Sequence, residues 1–172
     1  MRAATGHLRT LFGPALVAWT RSGVVALDAF VTGGPPGRAG RIRFLETVED
    51  VTGEPPADEP LPTALLQRIR PALAGDTRGA PVDLRPFEPL RRDVYRAVMR
   101  IPYATVVSYA DIARDIGRPR AWRAVGSALR RCPIDLLIPC HRVVHAGGVI
   151  AGPTASSIEW KRTLLRREGL DL

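Results

Sequence analysis

The chain has little cysteine and almost no lysine. Its two cysteines are Cys132 and Cys140, too few for the disulfide framework that staples small secreted domains. No apolar run reaches the roughly 18 residues needed to span a membrane as a helix. Residues 1–10 lack the apolar core that follows the basic start of a secretion signal, so a cytoplasmic setting is expected. Lys161 is the one lysine, and arginine supplies the rest of the 25 basic residues against 17 acidic ones, a formal net charge of +8. That balance favours a polyanionic partner such as nucleic acid, although an arginine-rich coding bias gives the same composition.

What remains is globular. The 172 residues are 45% hydrophobic, enough for one domain or two small ones with a real core. Residues 8–30 read as paired strands, with β-prone runs at 16–19 and 24–30 separated by the turn signal Arg21-Ser22-Gly23. Residues 32–40 are rich in Gly and Pro and read as a loop. Residues 41–51 fit a strand or a short helix. Residues 61–73 read as a helix through Leu65, Leu66, Ile69 and Leu73. Between 75 and 89, Gly and Pro recur, Val82-Asp83-Leu84 could form a strand, and a domain boundary is placed there.

The second half is more regular. Leu90, Val94, Ala97 and Val98 form a helical stripe that ends before Ile101-Pro102. Ser108 and Asp111 have capping-box order ahead of a helix bearing Tyr109, Ile112, Ala113 and Ile116. Gly117 and Arg118-Pro119 end it. A second helix follows, with Ala121, Ala124, Val125, Ala128 and Leu129 on one face. Helix, short glycine turn, helix is the shape of a helix-turn-helix. The opposite face carries Arg123, Gly126, Ser127 and Arg130, which suits close approach to nucleic acid or a plain solvated surface.

Residues 134–138 read as an apolar strand running into Pro139-Cys140-His141-Arg142-Val143-Val144. A cysteine beside a histidine and an arginine sits in an electropositive setting that favours the thiolate, the nucleophilic form. Three other readings fit these residues: a buried structural cysteine, a metal site using Cys140, His141 and His145, and a cysteine hydrolase. A metal site lacks a convincing fourth ligand, and Gly147-Gly148 breaks any helix that would align the two histidines.

From about residue 90 to 170 the chain resembles the O6-alkylguanine-DNA alkyltransferase family. The resemblance rests on Ile101-Pro102-Tyr103, Val107-Ser108-Tyr109, Arg123-Ala124-Val125-Gly126 and Ile138-Pro139-Cys140-His141-Arg142-Val143-Val144, in order and register. It implies an α+β chain: an N-terminal, ribonuclease H-like domain over residues 1–84, with a small β-sheet and a helix, and a mostly helical helix-turn-helix domain over 85–172 that carries the active site. It further implies single-turnover transfer of an alkyl group from O6-alkylguanine in double-stranded DNA to Cys140, with the nucleotide flipped out. Of the site residues, His141 would deprotonate Cys140 through a water, Glu168 would orient His141, and Tyr109 would approach the guanine ring nitrogen. Pro139 and Val143 would line the pocket. Arg123 would fill the gap left in the duplex. Trp122, Gly126, Ser127, Arg130 and Arg91 would contact DNA in the minor groove. No cofactor, metal, membrane or obligate protein partner is implied, and the location would be cytoplasmic, on the nucleoid when DNA is bound.

Departures from the family pattern are specific. Cys132 precedes Pro133 where Asn is usual. Gly152-Pro153 stands where Gly-Tyr is usual, in a loop one residue longer. Leu90-Arg91 and Tyr95 replace Phe-Gln and Trp, and Ala104 replaces Gly. The rival functions are a lesion-binding module without transfer, a hydrolase or sensor using Cys140, and a helix-turn-helix regulator.

Overall fold

The computed structural model describes residues 1–29 and 37–172, so Phe30 and the part of the expected loop at 32–36 lie outside the described residues. Two units are distinguished: Met1–Phe87 with Pro133–Leu137, and Glu88–Cys132 with Ile138–Leu172.

The first unit is built on β1 (Ala4–Thr10), β2 (Gly13–Thr20), β3 (Gly23–Asp28) and the two-residue β4 (Ala57–Asp58), in the order β3-β2-β1-β4. β1, β2 and β3 pair antiparallel through tight turns, and β4 joins the edge of β1 in parallel. Gly23 has φ 145, and a Cβ there would lie 2.3 Å from the Pro81 carbonyl oxygen. That oxygen accepts from Val24 N–H at 2.7 Å, so only glycine lets the two backbones meet. Val82 reaches the sheet by a single bridge to Val24. Residues 41–51, which fit either a strand or a helix by sequence, lie in α1 (Arg38–Thr52). Phe44, Val48 and Thr52 recur every four residues on its buried face. Phe44 and Val48 pack against Leu16, Ala18, Val25 and Ala26 of the sheet. The helix takes in residues 38–40, expected as loop, and ends on Gly53 in the left-handed conformation (φ 81). α2 (Thr63–Leu73) buries Leu65, Ile69 and Ala72.

The second unit contains α3 (Pro89–Met99), β5 (Val107–Ser108), α4 (Tyr109–Asp115), α5 (Trp122–Arg130), β6 (Val143–Val144) and α6 (Ala155–Arg167). Proline opens α3, where its missing N–H costs nothing. The capping box of α4 is formed on both sides: Ser108 Oγ accepts from Asp111 N–H at 3.1 Å, and Asp111 accepts from Ser108 N–H at 2.8 Å. Gly117, with φ 72, turns the chain out of α4, and α5 buries Val125, Ala128 and Leu129. No helix among the described residues is long and apolar enough to cross a membrane.

Residues 134–138 are not a strand. Ile134 makes one bridge to Leu27, fixed by Leu27 N–H to Pro133 O at 2.8 Å and Asp135 N–H to Leu27 O at 2.9 Å. The chain then curls, with Leu136 at φ 63 and Leu137 N–H on Asp135 O at 2.6 Å. Ile134, Leu136, Leu137 and Ile138 are all buried, so the apolar run reflects a buried turn rather than one face of a strand.

Asp135 lies in this turn. Burial first, and then the nearby Asp28 carboxylate, push its carboxyl up to about 7. An acid raised in the folded state holds its proton more tightly than in the unfolded chain, where about 3.9 is usual. Folding stability should therefore fall as pH rises from about 4 through about 7, then level off. Asp135→Asn should flatten that slope and raise the urea midpoint near pH 8, with little change near pH 4. Parallel losses in parent and variant would show that Asp135 is not the titrating group.

Candidate active site

The site grows from a tight turn. Pro139, buried, precedes a single 3-10 turn, Cys140–Arg142, which runs into β6. Cys140 N–H donates to Ile138 O at 2.7 Å and Arg142 N–H to Pro139 O at 3.0 Å. The turn leaves Cys140 partly exposed and sinks its two neighbours, with His141 6% and Arg142 1% exposed.

Those neighbours converge on one carboxylate. Glu168, the C-cap of α6, lies 2.8 Å from His141 Nε2 through Oε1. Arg142 Nε donates to both carboxylate oxygens at 3.1 and 3.0 Å, and its Nη2 to Oε1 at 2.9 Å. Ala104 N–H donates to Oε2 at 2.9 Å. The other end of the guanidinium donates to Ile101 O at 2.8 Å. Tyr103 covers the group, its ring 5.7 Å from the guanidinium carbon and its hydroxyl on Arg167 O at 2.9 Å. Burial alone would raise the Glu168 carboxyl, but the hydrogen bonds from His141, Arg142 and Ala104 outweigh it and hold the group at about 2. Glu168 is therefore an anion at neutral pH. Burial, followed by the charges of Arg142 and Lys161, lowers His141, while Glu168 opposes the shift. Ala104 takes up φ 56 to present its N–H, a left-handed conformation easier for the glycine usual there.

A second cluster surrounds Tyr109. Parallel pairing of β5 with β6 aligns Val107 with Val143, and Tyr109 follows directly as the first residue of α4. Lys161 of α6 donates to Tyr109 Oη at 3.3 Å and to Val143 O at 3.4 Å. His145 packs against the Tyr109 ring at 5.1 Å between centroids. Among the described residues, no three His, Cys, Asp or Glu side chains are placed to hold a metal ion.

The small-residue face of α5 reaches the same tyrosine. A Cβ on Gly126 would sit 3.8 Å from Tyr109 Cδ1 and Cε1. Trp122, Arg123 and Arg130 are exposed on α5, and Gly126 and Ser127 are partly buried. Arg91 lies elsewhere: its guanidinium donates to Tyr95 Oη at 3.1 and 2.9 Å and to Arg131 O at 2.8 Å. With Tyr95 Oη donating to Ala128 O at 3.2 Å, the pair caps the C-terminal end of α5, beside the Cys132 that replaces the usual Asn. Ala104, Tyr103 and Lys161 are site residues that sequence reasoning missed, and Arg142, read there as positive charge beside Cys140, is instead bound to Glu168. Arg142 stood inside the quoted motif, and Lys161 was conspicuous as the single lysine.

Residues 89–170 match the family described as 6-O-methylguanine DNA methyltransferase, DNA binding domain. A methylated-DNA–protein-cysteine methyltransferase of Methanosarcina acetivorans is 38% identical over 104 residues, 60% of this chain and 66% of the relative. A DNA base-flipping protein of Thermus thermophilus is 41% identical over 113 residues, 62% of this chain and 75% of its own length. The chain spans from about half to two thirds of the first three curated methyltransferases it matches. Among solved structures, Mycobacterium tuberculosis OGT in complex with DNA matches with a TM-score of 0.67 at 26% identity, over 98% of this chain and 92% of that one. Sequence over the helical unit and fold over nearly the whole length agree with the Cys140, His141 and Glu168 motif: the chain belongs to the O6-alkylguanine-DNA alkyltransferase family.

Proposed function

We propose that the protein repairs DNA directly, transferring an alkyl group from the O6 atom of guanine to Cys140 in a single turnover. The observation that carries this reading is the His141–Glu168 pair beside a partly exposed cysteine. Because Glu168 is ionised, it can only accept a hydrogen bond from His141 Nε2–H, so Nδ1 is the basic nitrogen of the neutral ring. Nδ1 takes the Cys140 proton through a water. The thiolate then forms the sulfur–carbon bond as the carbon–O6 bond breaks, and the guanine leaves with the electron pair. Tyr109, hydrogen-bonded to Lys161, supplies a donor to the departing base. A thioether is a poor leaving group, so the reaction ends there.

The lesion lies inside a duplex, so the nucleotide must be extruded. Arg123 occupies the vacated space, and Gly126, Ser127 and Arg130 give α5 a slim, basic face for the minor groove. Val143 and Pro139 border the base. This chemistry is cytoplasmic, on the nucleoid. Base flipping, which is all the Thermus relative's name records, would also serve lesion binding without transfer, the second reading, and Cys140 argues for the first.

Intact-mass measurement after mixing with an O6-methylguanine duplex should show one methyl per chain, mapped to Cys140 and absent from Cys132. Cys140→Ser should bind the duplex and gain nothing. Binding by the parent without mass gain would favour the second reading.

Glu168→Gln removes the partner that raises His141, so the acid limb of the pH–rate profile should move to lower pH. The plateau should fall by roughly tenfold or more as the base weakens. The variant also leaves Arg142 buried without its anion, a loss of about 3–5 kcal/mol, so rates are read well below its melting point. An unmoved acid limb would separate Glu168 from His141 chemistry.

Gly126→Ala meets only ordinary contacts in the fold, and should gain about 0.5–1 kcal/mol of helix stability. Duplex affinity should nevertheless weaken several-fold, because the added methyl thickens the face set against DNA. Unchanged affinity would move the DNA contact off this face of α5.

A further inference from the structure

The resemblance gives the indole at the start of α5 a DNA contact and no particular task. Trp122 is the first residue of that helix and is 44% exposed, whereas Trp19 is 7% exposed within the sheet. The Arg123 guanidinium lies over the Trp122 ring, 4.8 Å from its centroid. Successive helical residues project away from each other and do not meet through spacing alone. Arg123 therefore folds back over the helix start to make this contact. A cation over an indole is held by the ring's negative face, which restricts the rotamers of a long side chain before any partner arrives. An indole has two faces, and its exposure leaves surface for a second stacking partner.

We propose that Trp122 and Arg123 form a two-part wedge, in which the indole stacks on a nucleobase bordering the space that Arg123 fills. The inference rests on the duplex-repair reading above. Extruding a nucleotide bares the faces of the flanking bases, and a guanidinium covers only part of that area. An indole is close to a nucleobase in extent, and base–aromatic stacking needs no particular base. The pair therefore suits a protein that must open duplexes wherever the lesion falls. Trp122 makes its contact with DNA and positions Arg123, and it takes no part in bond breaking.

The test uses the full chain with Trp19→Phe and Trp160→Phe, so that Trp122 is the sole indole reporter. It is titrated with an end-labelled duplex carrying O6-methylguanine, whose anisotropy reports binding independently. At saturation, Trp122 emission should fall by about half or more, and acrylamide should quench the remainder several-fold less efficiently. Bound duplex with unchanged emission and quenching would overturn the wedge and leave the repair reading intact. No binding together with no methyl gained would overturn both. In the parent background, Trp122→Ala should slow single-turnover transfer from the duplex roughly tenfold more than transfer from free O6-benzylguanine. Trp122→Phe should restore most of the difference, and Trp122→Leu should not. Equal slowing on both substrates, or full rescue by leucine, would show that the ring does not stack on DNA.

Discussion

The Glu168 carboxylate is the point on which the site depends. A buried anion is expensive to desolvate, and here it accepts from His141, Arg142 and the Ala104 backbone at once. His141 and Arg142 come from the turn after Pro139, Ala104 from the loop after Ile101, and Glu168 itself from the end of α6. The carboxylate therefore stitches three segments together and fixes the tautomer of His141 by the same contacts. Arg142 is the necessary counter-charge. Without it, Glu168 would be driven toward its neutral form and would no longer require a hydrogen bond from His141 Nε2–H.

This arrangement explains the unusual backbone around it. Ala104 adopts a left-handed conformation because its N–H must point at the carboxylate. The energy that this costs a residue with a Cβ is offset by a charge-assisted hydrogen bond. Tyr103 closes over Arg142 and ties itself to Arg167. The contacts that hold His141 in place also hold these segments of the fold, and changes at Glu168 must disturb both.

Much of the second unit was legible in the sequence because its signals are local. The Ser108 capping box, Gly117 and the apolar stripe of α5 are each readable within one or two helical turns. Residues 134–138 misled because apolar composition reports burial and not conformation; the curl at Leu136 depends on partners near Leu27, more than a hundred positions earlier. α1 was ambiguous because two buried residues four apart, Phe44 and Val48, are too few to separate the two periods. At the site, Cys140 and His141 announced themselves by adjacency. Arg142 was read as positive charge beside the cysteine, and its burial against Glu168 was hidden until the acid partner was seen. The inward turn of Arg91 toward Tyr95 was hidden for the same reason.

The sequence separation of the central pair has a consequence for biosynthesis. His141 and Glu168 are 27 positions apart, and translation at roughly 5–20 residues per second leaves about one to five seconds between their polymerisation. During that interval the nascent chain holds a histidine and an arginine destined for burial without the anion that makes burial tolerable. The contacts that bury His141 and Arg142 against Glu168 can form only once α6 has been made. The buried cluster around Glu168 is thus completed only after the turn that carries Cys140 has been polymerised.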